Sequence, residues 1–131
     1  MLKLRIVTIE KIVVDDSVSE LNVTTPEGAL GILPGHIPLL TVVSPGVVRY
    51  RSGEKEFRLV STSGSLEVKN NVATLLAEEV LPVSAIDVAQ AEAERARLLN
   101  VLESGDLPVL ELKEKRKELA NVVAKITAGQ K

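Results

Sequence analysis

The hydrophobic period of this chain changes once, after Pro82. Before that point apolar residues recur in short runs of period two. Lys3-Leu-Arg-Ile alternates, Ile12-Val13-Val14 is the next apolar run, and Ser19–Thr25 places Leu21 and Val23 on one face. Val47–Arg51 and Lys55–Val60 flank the turn signal Ser52-Gly53-Glu54, and Ser65–Lys69 and Val72–Ala77 flank Asn70-Asn71. Alternation punctuated by turn residues predicts two hairpins within an antiparallel sandwich or barrel. After Pro82 the composition shifts to good helix formers. Ser84-Ala-Ile-Asp87 has the spacing of a capping box, predicting Ser84 as N-cap. The first stripe is Val88, Ala91, Arg95, Leu98 or Leu99, and Leu102. Ser104-Gly105-Asp106-Leu107-Pro108 then stops one helix and opens another, with Gly105 suited to a left-handed cap and Pro108 to a first turn. The second stripe is Leu112, Leu119, Val122, Val123 and Ile126. We therefore expect a β-sandwich domain over residues 1–84 and an antiparallel two-helix hairpin over 85–131. Both stripes are thin, so the hairpin must lean on the sandwich or on a partner, and it is the part readiest to move.

Composition removes several functions. With one Tyr, one Phe and no Trp, the core must be built from Val, Leu, Ile and Ala, and aromatic platforms for sugars or single-stranded nucleic acid are missing. A formal net charge of −2 supplies no basic field for a duplex, so no nucleic-acid partner is expected. The chain has no Cys and a single His, which leaves no nucleophile–base set with redundancy and no paired metal ligands; no catalytic residue and no metal site are expected. No run approaches a membrane span, and Lys3, Arg5, Glu10 and Lys11 interrupt any leader-like segment. The expectation is a soluble chain that meets a membrane only through partners. Asp15-Asp16 and Glu78-Glu79 read as solvated strand edges. Lys113–Lys117 (KEKRK) reads either as a solvated helix face helped by a Glu111–Lys115 pair, or as a docking surface for an acidic partner.

One stretch fits neither pattern comfortably. Thr25–Thr41, TPEGALGILPGHIPLLT, holds three of the six prolines, three of the eight glycines and the only histidine, yet remains apolar between these breakers. From Glu27 to Thr41 it resembles the signature of the epsilon subunits of F-type ATP synthases, E-G-x-L-G-I-x-P-G-H-x-P-L-L-T, with every fixed position met. The likeness continues through Ser44-Pro-Gly46, Gly64–Val68, Asn71-Val72, Leu75–Ala77 and Ile86-Asp87.

The resemblance implies a β-sandwich of about ten strands followed by a two-helix hairpin. It further implies a non-catalytic rotor subunit at the foot of the central stalk, bound to gamma and to the c-subunit ring, coupling proton flow to ATP synthesis. On the family pattern Glu27, Leu30, Ile32, Leu33, Pro34, His36, Leu40 and Thr41 face those partners, with Leu39 and Leu40 dividing between core and interface; the other reading is that much of the loop, Leu30, Leu33 and Leu40 included, only closes the sandwich. In some relatives the hairpin extends and blocks hydrolysis in the catalytic alpha and beta subunits; Lys113, Lys115, Arg116 and Lys117 would then meet acidic groups. Some relatives bind ATP through Ile/Leu-Asp-x-x-Arg-Ala. Here the segment reads Ile86, Asp87, Val88, Ala89, Gln90, Ala91, with Gln90 in place of the arginine and Leu81 in place of an upstream glutamate, although Arg97 matches. Weak or absent ATP binding is expected, with no cofactor. The expected location is peripheral, on the cytoplasmic face of a bacterial inner membrane. The alternative is a free-standing sandwich that binds a small ligand beneath a helical lid.

Overall fold

The computed structural model describes residues 1–105 and 107–129. Ten strands precede two helices: β1 (Leu2–Val7), β2 (Ile12–Val18), β3 (Glu20–Thr25), β4 (Gly28–Ile32), β5 (Leu39–Val43), β6 (Gly46–Ser52), β7 (Lys55–Ser61), β8 (Gly64–Lys69), β9 (Val72–Ala77), β10 (Val80–Pro82), α1 (Val88–Glu103) and α2 (Val109–Gly129). They form two five-stranded sheets, in the orders β2-β1-β9-β8-β5 and β10-β7-β6-β3-β4. Both expected hairpins are present, pairing β6 with β7 and β8 with β9. All pairings are antiparallel except one, because β1 runs parallel to β9. A parallel neighbour requires a long crossover, which here comprises every strand between them.

Alternation places Leu4 and Ile6 of β1, Leu66 and Val68 of β8, and Leu75 of β9 inward against Leu21, Ile32 and Val48 of the second sheet, all essentially inaccessible. Each such side chain contributes about 1.5–3 kcal/mol by leaving water. Gly64 meets a steric rather than a turn requirement, since a Cβ there would run into the Leu76 carbonyl.

The first helix begins later than the capping-box spacing predicts. Val83–Ala85, which contains Ser84, forms a single 3-10 turn, and Ile86 returns to extended backbone at φ −80°, ψ 127°. Asp87 is therefore the N-cap, its Oδ1 accepting from the Gln90 N–H at 3.1 Å. Gly105, at φ +72°, follows the last turn of α1 as expected, and Pro108 stands one residue before α2, its carbonyl accepting from Leu112 N–H at 2.9 Å. The part of that connection assigned to Asp106 lies outside the described residues. α2 packs on the outer face of the second sheet against β6 and β7, and α1 packs on α2. Ala91, Leu98, Val122 and Ile126, with Leu119 beside them, form a small second core. Arg95 of the expected stripe is exposed instead.

Candidate functional site

The proline- and glycine-rich stretch is two turns and two edge strands. Thr25 and Gly28 pair across the Pro26-Glu27 turn, β4 then runs along the edge of the second sheet, and residues 33–38 carry the chain to β5 on the edge of the first. Glu27 precedes β4 by one residue and His36 follows it by four, so a strand roughly 16 Å long at 3.3 Å per residue runs between the two turns.

Strand parity sorts the expected partner residues. Leu40 is 74% exposed and Leu33 58%, whereas Ile32 is wholly buried, so Ile32 belongs to the core and not to a surface. Thr41 also departs from expectation. It lies opposite Leu66 on the inner face of the first sheet and is half-buried. Leu30 and Leu39 are half-buried against the core, while Glu27 and Pro34 are exposed. His36 is half-buried and locks its own turn: its N–H donates to Leu33 O at 3.1 Å, and Nδ1 lies 2.7 Å from Ile37 O. A carbonyl can only accept, so Nδ1 carries a hydrogen and donates it.

A residue outside the expected set organises this loop. Asn71 Oδ1 accepts from Gly35 N–H at 2.9 Å and its Nδ2 donates to Met1 O at 2.6 Å. Asn71 adopts φ +63°, a conformation asparagine tolerates better than most residues. The Asn70-Asn71 pair marks a turn in the sequence, but nothing local shows that one side chain spans to a loop 36 positions away.

The loop adjoins an apolar outer surface. Register runs Val42–Ser65–Leu76–Val7–Ile12 across the first sheet, with Val42 59%, Leu76 51% and Ile12 52% exposed. Leu40 and Ile37, both 74% exposed, extend it toward the loop. A surface of this kind marks an interaction site more often than a solvent face.

Beside β10, at the edge of the second sheet opposite β4, Ile86, Asp87, Gln90 and Ala91 line a cavity of 180 Å³ with Leu81, Ala85, Glu94 and Lys125. Arg97 is not among its lining residues; it lies 4.0 Å from Glu94. Among the described residues the only cation lining it, Lys125, is held by Glu79 at 2.6 Å. Two carboxylates and one engaged lysine make a poor phosphate site, and the volume falls below the roughly 300 Å³ at which ligand pockets begin.

The basic helix face is partly spoken for. Lys117 Nζ donates to Glu78 Oε1 at 3.1 Å and Lys125 pairs with Glu79, so Glu78-Glu79 is solvent-exposed as expected and also a docking corner for α2. Lys115 pairs with Glu118 at 3.6 Å instead of the expected Glu111, one turn forward rather than back. Lys113 and Arg116 are exposed and make no ion pair among the described residues.

Comparison with known proteins follows the same division. Residues 1–83 match the family described as ATP synthase, Delta/Epsilon chain, beta-sandwich domain. The ATP synthase epsilon chain of Pelotomaculum thermopropionicum is 42% identical over 95 residues, 72% of this chain and 71% of that one. That of Alkalihalophilus pseudofirmus is 39% identical over 103 residues, 79% and 77% of the two chains. Among solved structures, a chain of the Euglena gracilis mitochondrial ATP synthase (OSCP/F1/c-ring) matches with TM-score 0.83 at 18% identity, covering 97% of this chain and 80% of that one. One from the Tetrahymena thermophila mitochondrial ATP synthase central stalk and c-ring matches with TM-score 0.71 at 19% identity, covering 97% and 95%. These two likenesses establish similarity of fold.

Proposed function

Because the chain belongs to the ATP synthase delta/epsilon family, we propose that it works as the non-catalytic epsilon subunit of an F-type ATP synthase, coupling rotation of the central stalk to ATP synthesis. The observation that carries the details is the surface made by Thr25–Thr41. A subunit that transmits torque needs contacts that are stiff before they form. Pro26, Pro34 and Pro38 remove backbone freedom from the turns, and Asn71 ties the second turn to the sheet. Exposed Leu33, Ile37, Leu40 and Val42 then supply dry contact area for the gamma subunit and the c ring. Family membership does not favour a free-standing ligand-binding sandwich.

Among the described residues no helix is long and apolar enough to cross a membrane. The subunit is held at the membrane by its partners, on the cytoplasmic face of a bacterial inner membrane. Its ATP affinity is weak or nil, which follows from the small, acid-lined cavity beside Gln90. The hairpin acts as a brake when it leaves the sandwich and carries Lys113, Lys115, Arg116 and Lys117 to acidic groups of the catalytic alpha and beta subunits.

The test is ATP hydrolysis by an epsilon-depleted catalytic complex titrated with the full chain. Hydrolysis should fall, and the variant with all four basic residues changed to Gln should bind without slowing it. Equal inhibition by both chains would remove the basic face from the brake, and failure of the chain to bind at all would remove the subunit assignment.

A further inference from the structure

Two sheets present four edges, and the chain treats them unequally. Natural sheets blunt their edges with charge, proline, brevity or cover, because bare ladder groups recruit other strands. β2 carries Asp15 and Asp16, with Asp15 paired to Lys3 at 3.4 Å. β10 is three residues long and ends in Pro82. β4, Gly-Ala-Leu-Gly-Ile, and β5, Leu-Leu-Thr-Val-Val, carry no charge and no proline. Of these two, β5 alone has the aliphatic and β-branched composition that pairs well, whereas glycine weakens β4. Leu40 and Val42 stand exposed along β5, beside the proline-bearing loop. On a chain working alone, such an edge would be a site of aggregation.

We propose that the free edge of β5, Leu39–Val43, accepts an extended strand of the gamma subunit, which continues the first sheet outward from β8 and β5. This rests on the stalk reading above and adds a mode of binding to it: main-chain hydrogen bonds fix the partner's register, while Leu40 and Val42 pack against its outer side chains. The partner strand is chosen over a second copy of this chain by continuity. β5 directly follows the loop that the reading above gives to gamma and the c ring, and it forms the border of the apolar outer row, so a gamma strand laid on it reaches all three. A ladder is also stiffer than side-chain contact alone, which suits torque transfer.

The test is amide hydrogen exchange on the full chain, alone and in a one-to-one complex with purified gamma subunit. Amides of β5 that point away from β8 should exchange freely in the lone chain and slow by about a hundredfold or more in the complex, with β2 amides unchanged. A stable complex whose β5 amides exchange as in the lone chain overturns the strand addition while leaving the subunit assignment standing. Absence of any complex overturns the assignment itself. Protection of β5 that appears in the lone chain with rising concentration, together with a doubled mass, makes a second copy the occupant and overturns the proposal. As a separate check, Val42→Lys places a gatekeeper charge on the edge and should weaken the complex at least tenfold without changing the circular dichroism of the lone chain; unchanged affinity counts against the strand.

Discussion

The two ion pairs at the base of the hairpin set how tightly it docks. Lys117 meets Glu78 at 3.1 Å and Lys125 meets Glu79 at 2.6 Å, joining α2 to the link between β9 and β10. The side chains are between 26% and 61% exposed, so water screens both pairs and each contributes about 0.2–1 kcal/mol. Together they stabilise docking by roughly 1 kcal/mol, about fivefold in the docked-to-released ratio. The apolar contact of α2 with β6 and β7 is untouched by changes at the two acids. Glu78→Gln with Glu79→Gln should therefore raise the released fraction about fivefold at low salt without unfolding the sandwich. The chain has no cysteine, so dyes on Cys introduced at exposed Glu54 and Ala93 report the hairpin's position by energy transfer without competing thiols. At about 1 M salt, where the screening length is near 3 Å, wild type and variant should converge. A variant with the wild-type released fraction at low salt, or a difference that persists undiminished at high salt, would refute an electrostatic latch.

Other consequences are separable. Ile32→Ala should cost about 2–5 kcal/mol in urea unfolding, whereas Leu40→Ala should cost under about 0.5 kcal/mol and instead weaken the gamma complex. Asn71→Gly keeps the positive φ but deletes the bonds to Gly35 and Met1; binding of gamma should weaken several-fold with little change in melting temperature, and a calorimetric titration decides it. Gly64→Ala forces β8 and β9 apart at the Leu76 carbonyl and should lower stability by more than about 2 kcal/mol, read from the denaturation midpoint. Tyr50 is the only tyrosine; burial, then the charge of Asp16, raises its pKa above the ordinary 10.0. The unfolded phenol ionises first, so the stability tied to neutral Tyr50 is complete below about pH 10 and declines as pH rises through the folded value. Phenolate absorbance should accordingly titrate later in the native chain than in urea, and coincident curves would contradict the burial argument.

What the sequence determined by itself was everything local. Ser52-Gly53-Glu54 and Asn70-Asn71 specify their hairpins because turn chemistry acts over a few residues, and Gly105 ends α1 because only the adjacent backbone must turn left-handed. The family signature was legible for the same reason, as a run of fixed neighbours. Helix onset was nearly legible: Ser84 and Asp87 are both capable caps, and the choice fell to Asp87 because Pro82 begins a 3-10 turn and Ile86 leaves it extended. Tertiary structure alone decided which side of the signature is wet. Ile32 and Thr41 turn inward while Leu33 and Leu40 turn outward, a distinction of strand parity that cannot be assigned until the breakers are known to flank two edge strands. It also decided the partners of Asn71, of Glu78 and of Glu79, since hydrogen bonds and ion pairs between distant positions exist only after β1 joins β9 in parallel and α2 lies down on the second sheet. Short-range sterics write themselves into neighbouring residues. Pairing across dozens of positions depends on the whole packing and leaves no local trace.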